Sequence, residues 1–121
     1  MNVLIVDDSR AMRMIVKKTL RAAGYDDLDI VEAEDGQQGL EKVREDEPDL
    51  ILSDWNMPNM NGPAFLEALK EDGFNTTFGF ITTEATTEMR EKAIEAGARF
   101  LIAKPFTPES FSAALDQYMN N

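Results

Sequence analysis

Apolar and polar positions along this chain alternate between two periods. Short, nearly continuous apolar runs stand at 2–6, 28–33, 50–53, 78–82 and 99–103. Each is too short for a helix and rich in β-branched, leucine or phenylalanine residues, so each reads as a strand. Between them, apolar residues recur at helical spacing. Met12, Val16, Leu20 and Ala23 run up to the stop signal Gly24. Asp35, with Gln38 three residues on, looks like a capping pair opening a helix through about Val43. Gly62-Pro63 starts a third helix, which carries Phe65, Leu66 and Leu69 and ends near Gly73. Thr86 or Thr87 caps a fourth with Met89, Ala93 and Ile94, closed by Gly97. Thr107-Pro108-Glu109 begins the last, where Phe111, Ala114, Leu115 and Tyr118 form a full core-facing stripe.

Five strands alternating with five helices predict an α/β fold, a parallel sheet covered by helices on both faces. The partial alternation of 28–33 places that strand near a sheet edge. Gly79 interrupts and weakens the fourth strand. At 121 residues, without a linker or low-complexity stretch, the chain reads as one domain over 1–121 with no output domain. Glu45-Asp46-Glu47 reads as a solvated helix end rather than a site.

Composition removes several kinds of chemistry. There is no cysteine and no histidine, so disulfides, thiol nucleophiles, histidine-based triads and the usual zinc ligand sets are excluded. Twelve basic residues against 23 acidic ones give a formal charge of −11, which repels a nucleic-acid backbone and an anionic membrane surface. A cation or a partner with a basic face is favoured. Met1-Asn2 leads straight into strand residues and no run approaches membrane-spanning length, so a cytosolic protein is expected.

In open parallel sheets, ligands gather beyond the carboxyl ends of the strands. Four of the five predicted strands end there in chemically capable residues: Asp7-Asp8, Asp54, Thr82-Thr83 and Lys104. Taken singly, each has an ordinary explanation as a loop acid, a cap or a surface charge. Converging on one sheet edge, they define a site. Three nearby carboxylates need a cation or raised pKa values. Oxygen ligands alone select a hard ion, Mg²⁺ first and Ca²⁺ or Mn²⁺ next. The Lys104 ammonium neutralises a phosphoryl group, the Thr82 hydroxyl bonds one of its oxygens, and a carboxylate can attack phosphorus. The residue set points to an aspartyl-phosphate site.

These residues resemble the response-regulator receiver family, in its single-domain, CheY-like chemotaxis form. The likeness spans essentially the whole chain. It rests on Val6-Asp7-Asp8-Ser9, Asp54-Trp55-Asn56-Met57-Pro58, Asn61-Gly62, Thr82, Glu84 and Lys104-Pro105-Phe106. It implies a flavodoxin-like sheet of strand order 2-1-3-4-5. It further implies that a CheA-like histidine kinase phosphorylates Asp54. Mg²⁺ would be held by Asp7, Asp8, Asp54 and the backbone carbonyl of Asn56, with Asp8 the nearer of the acidic pair. Thr82 and Lys104 would bind the phosphoryl oxygens, Asn56 and Glu84 would tune autodephosphorylation, and the Lys104–Pro105 bond would be cis.

The resemblance also implies a cytoplasmic monomer that is not an enzyme beyond slow autodephosphorylation. It would act by binding a target, such as a flagellar motor switch component, through the fourth helix, fifth strand and fifth helix. One departure stands out. The family's switch aromatic lies three residues before the lysine, and here that position is Leu101; Phe100 is adjacent but faces the other way. Asn61 and Thr83 stand where an aspartate and a smaller residue are frequent. Three other readings stay open: an aspartate-nucleophile phosphohydrolase, a stand-alone receiver in a phosphorelay outside chemotaxis, and a phosphorylation-independent scaffold. The hydrolase reading lacks the second acid expected two residues after Asp54, where Asn56 stands.

Overall fold

Side chains that alternate along each strand sort the core into two layers, one on each face of a single sheet. The computed structural model describes residues 1–119; positions 120 and 121 of the expected unit lie outside the described residues. The elements are β1 (Asn2–Val6), α1 (Arg10–Ala22), β2 (Asp29–Ala33), α2 (Gly36–Glu45), β3 (Leu50–Asp54), α3 (Gly62–Glu71), β4 (Thr77–Thr82), α4 (Thr87–Glu95), β5 (Phe100–Ala103) and α5 (Pro108–Met119). The strands pair in parallel in the order β2-β1-β3-β4-β5.

The period of two is explicit in β1. Val3 and Ile5 pack with α1 and α5 through Val16, Leu20, Phe111 and Leu115. Leu4 and Val6 face the layer of α2, α3 and α4 with Leu40, Val43, Phe65, Leu66, Leu69 and Ala93. A strand covered on both faces has no room for polar alternation, which is why β1 and β3 read as continuous apolar runs. β2 has one neighbour only and leaves Val31 exposed, as an edge strand does.

Caps fix where the helices begin. Ser9, Asp35, Asn61 and Thr86 each accept a hydrogen bond from the backbone N–H three residues on. Thr86, not Thr87, therefore caps α4. The Asp35/Gln38 pair is only half a capping box: Gln38 Oε1 accepts from Glu34 N–H, not from Asp35 N–H. The helix it opens runs to Glu45, two residues past the expected end, and Glu45, Asp46 and Glu47 are exposed.

One expectation needs correction. Ile94 was grouped with the apolar face of α4, but it is 55% exposed, and Ala93 alone of that helix is buried. Gly79 has a role beyond the weakness its missing side chain gives β4. It pairs with Phe100 of β5, whose ring lies over it so closely that a Cβ would come within 1.9 Å. Glycine there is the seat of a core aromatic.

Candidate functional site

The carboxyl ends of β1, β3, β4 and β5 form one edge, and the polar residues predicted from those strand ends meet there. Asp7 is buried, Asp54 half-buried and Asp8 exposed. One carboxylate oxygen from each lies within 4.8 Å of the others. Lys104, after β5, places Nζ 3.3 Å from Asp7 Oδ2 and 3.4 Å from Asp54 Oδ1. The Lys104–Pro105 peptide is cis, and Lys104 N–H donates to the Thr82 carbonyl at 2.8 Å.

Each acid is oriented by backbone. Asp7 Oδ1 accepts from Ser9 N–H (2.9 Å), and Asp54 Oδ1 accepts from Trp55 N–H (2.8 Å). The loop after Asp54 folds back on it, with Gly62 N–H donating to the Trp55 carbonyl at 2.8 Å. A Cβ at Gly62 would stand 2.5 Å from the Asp54 carbonyl oxygen, so that close return demands glycine. The Trp55 ring packs against Phe80 at a centroid distance of 4.6 Å. Burial, then the Asp7 charge, push the Asp54 carboxyl above its ordinary value; Lys104 and the Trp55 N–H offset part of that rise.

A second group borders the acids. Thr82 is buried, and its Oγ1 accepts from Glu84 N–H at 3.2 Å. Glu84 Oε1 in turn accepts from Asn56 Nδ2 at 3.2 Å. Leu101, opposite Phe80 on β4, is buried in the layer beneath α4, and its carbonyl accepts from Arg90 Nη1 at 2.8 Å. Phe100 points to the opposite layer and stacks near Tyr118.

A family model described as the response regulator receiver domain matches residues 3–116. The chain belongs to that family. It is 37% identical over 119 residues to the chemotaxis protein CheY1 of Helicobacter pylori, which covers 96% of this chain and 94% of that one. It is also 37% identical over 119 residues to chemotaxis protein CheY-3 of Vibrio cholerae, covering 97% of this chain and 90% of that one. Among solved structures, chemotaxis protein CheY4 of Vibrio cholerae superposes with a TM-score of 0.83 at 36% identity over 98% of both chains. Among the described residues of this receiver, no helix is long and apolar enough to cross a membrane.

Two further contacts border the receiver site. Arg13 donates to the Asp7 carbonyl (2.7 Å) and to Glu32 (2.8 Å). Asp35 accepts from Asn59 Nδ2 at 2.7 Å, which ties the start of α2 to the loop after Asp54. The sequence carried a faint signal for Arg13: it lies one position from Met12 and three from Val16, both inward-facing. Nothing local marks Asn59, because its partner is 24 residues away.

Proposed function

We propose that this receiver is a phosphorylation-controlled signalling switch in which Asp54 accepts a phosphoryl group from the phosphohistidine of a histidine kinase. The observation that carries this reading is the position of Lys104 between Asp7 and Asp54, with Asp8 beside them. That arrangement gathers three carboxylates and one ammonium in one cluster, in a chain with no thiol or imidazole.

A divalent ion suits this donor set. Carboxylate oxygens are hard ligands, and three of them close together are repulsive without a counter-charge. Burial first, and the Asp7 charge second, already raise the Asp54 carboxyl above its ordinary value. Asp7, Asp8 and Asp54, with the Asn56 carbonyl, would hold Mg²⁺, or Mn²⁺ or Ca²⁺ in its place. When bound, the ion supplies positive charge where phosphoryl oxygens gather.

The chain's own groups do the rest. Trp55 N–H and Lys104 engage Oδ1 of Asp54, so Oδ2 is the oxygen presented to phosphorus. As the O–P bond forms, the donor's N–P bond breaks and the leaving imidazole recovers its proton from solvent. Lys104 swings from the carboxylates to a phosphoryl oxygen, and the Thr82 hydroxyl turns toward another. Its Oγ1 then gives up the Glu84 N–H, which loosens the loop leading into α4. Asn56 and Glu84, joined side by side, limit the approach of hydrolytic water, so the acyl phosphate turns over slowly and the protein is not a phosphatase.

The names of the similar proteins favour chemotaxis, with a CheA-like kinase as donor and a flagellar motor switch component as target. The surface of α4, β5 and α5 suits such a target: Ile94 and Arg90 border a groove that continues along Ala103, Ala113 and Gln117. The protein works as one receiver unit in the cytoplasm, without nucleic acid. Transfer of labelled phosphoryl from a chemotaxis kinase's phosphohistidine tests the reading. Label should reach the wild type only with Mg²⁺ and never reach Asp54→Ala; label on Asp54→Ala would overturn it.

A further inference from the structure

Asp7 is held on every polar atom. Its N–H donates to the Ala33 carbonyl at 3.1 Å, its Oδ1 accepts from Ser9 N–H and its Oδ2 faces Lys104. The remaining atom, the backbone carbonyl, accepts from Arg13 Nη1 at 2.7 Å. Arg13 is the inward-turned cation of α1. Arg10, Lys18 and Arg21 of the same helix are exposed, whereas Arg13 is 9% exposed. Its Nε donates to Glu32 Oε1 at 2.8 Å, and Glu32 Oε2 accepts from Lys17 Nζ at 2.7 Å. A guanidinium fork thus connects the acid-bearing end of β1 to the edge strand β2.

None of the chemistry assigned to Asp54 uses this residue. Burying a guanidinium is costly unless every face of it is engaged. Two explanations compete: Arg13 is a counter-charge for the acids, or it is a brace for the Asp7 peptide. They predict opposite signs. A counter-charge beside an ion site repels the ion, so its removal tightens binding. A brace keeps a ligand in place, so its removal weakens binding.

We propose that Arg13 is a positioning residue for the ion site, anchored by Glu32, and that it acts by fixing the Asp7 backbone. The proposal rests on the Mg²⁺ reading given above. Its direct contact with a carbonyl, not with a carboxylate of the cluster, favours the brace. The planar fork matters, because a lysine at 13 keeps the charge but replaces the two separate nitrogens that meet the Asp7 carbonyl and Glu32 with one point charge.

The test is Mg²⁺ titration of the folded protein, read by Trp55 fluorescence well below the melting temperature, with thermal melts in parallel. Wild type, Arg13→Lys, Arg13→Met and Glu32→Gln are compared. Arg13→Lys should bind Mg²⁺ about tenfold more weakly, and Arg13→Met at least as weakly despite losing a cation. Glu32→Gln should weaken binding in the same direction by less. Tighter binding by Arg13→Met with Arg13→Lys unchanged would make Arg13 a counter-charge only. Lower melting temperatures with unchanged Mg²⁺ affinity would make it purely structural. Either result overturns the proposal, and if Arg13→Met does not fold, the other two variants decide it. Wild type that fails to bind Mg²⁺ overturns the ion-site reading itself, a result distinct from the others.

Discussion

Lys104 Nζ stands 3.3 Å from Asp7 Oδ2, an ion pair across 97 residues of sequence that joins the end of the last strand to the end of the first. The ammonium is the site's own counter-charge, and a phosphoryl group must win it away from Asp7 and Asp54. Lys104→Met should therefore separate two properties that share the site. Mg²⁺ should bind no more weakly, since a competing cation is gone. Phosphorylation from acetyl phosphate should slow by about a hundredfold, the usual effect of losing one preorganised charge on the reacting group. Parallel ion titrations and phosphorylation time courses check both.

Asp54 carries the site's pH dependence. Burial and the Asp7 charge raise its carboxyl above the ordinary value of 3.8, so between that value and the raised one the folded chain holds a proton that the unfolded chain has released. Stability from this group is therefore lost as pH rises from the unfolded value through the raised folded one. At neutral pH the ionised carboxylate is a standing cost. Asp54→Asn should be more resistant to urea than wild type near pH 7 without metal, and this advantage should shrink toward pH 4. Mg²⁺ affinity should run the other way, falling as pH drops and the Asp54 carboxylate protonates.

Asp35 has the opposite sign. Its burial favours the neutral acid, but hydrogen bonds from Gln38 N–H, Asn59 and Gln37 N–H outweigh that and hold it below 3.8. Its contribution is present above the unfolded value and lost as pH falls through the lower folded one. Asp35→Ala should cost about 1–2 kcal/mol at pH 7 and flatten the acid limb of the stability profile. Urea denaturation at several pH values measures both.

Phe100 and Gly79 form a single packing unit. The Phe100 ring fills the space above Gly79 and is backed by Tyr118 at a centroid distance of 5.7 Å. Gly79→Ala should cost roughly 1–3 kcal/mol, as overpacking does in a closed core. Adding Phe100→Leu should recover part of that loss, so the double-mutant cycle should show coupling.

Asp7, Asp8, Asp54 and Lys104 were legible because each follows an apolar run, and in a parallel sheet such ends share one edge. Periodicity likewise gave the strands and helices, since a strand buried on both faces and an amphipathic helix leave different patterns. Ile94 was misplaced because α4 is short and packs through little more than Ala93, so an apolar residue on it need not be core. The packing role of Gly79 was not legible because its partner ring comes from another strand. Arg13, Glu32 and the Asp35–Asn59 contact stayed hidden for the same reason: their meaning lies in tertiary partners that no local pattern records. Leu101 is buried under α4, and its carbonyl accepts from Arg90 Nη1, a link from β5 to α4 made through the backbone.

The central claim is that Asp54 is the phosphoacceptor of an ion-dependent site. Intact-protein mass spectrometry after incubation with acetyl phosphate and Mg²⁺, followed by peptide mapping, addresses it most directly. A single phosphoryl adduct on Asp54, absent with a chelator and absent in Asp54→Ala, is the predicted result. An adduct of equal extent on Asp54→Ala, or none on wild type with Mg²⁺ bound, would contradict it.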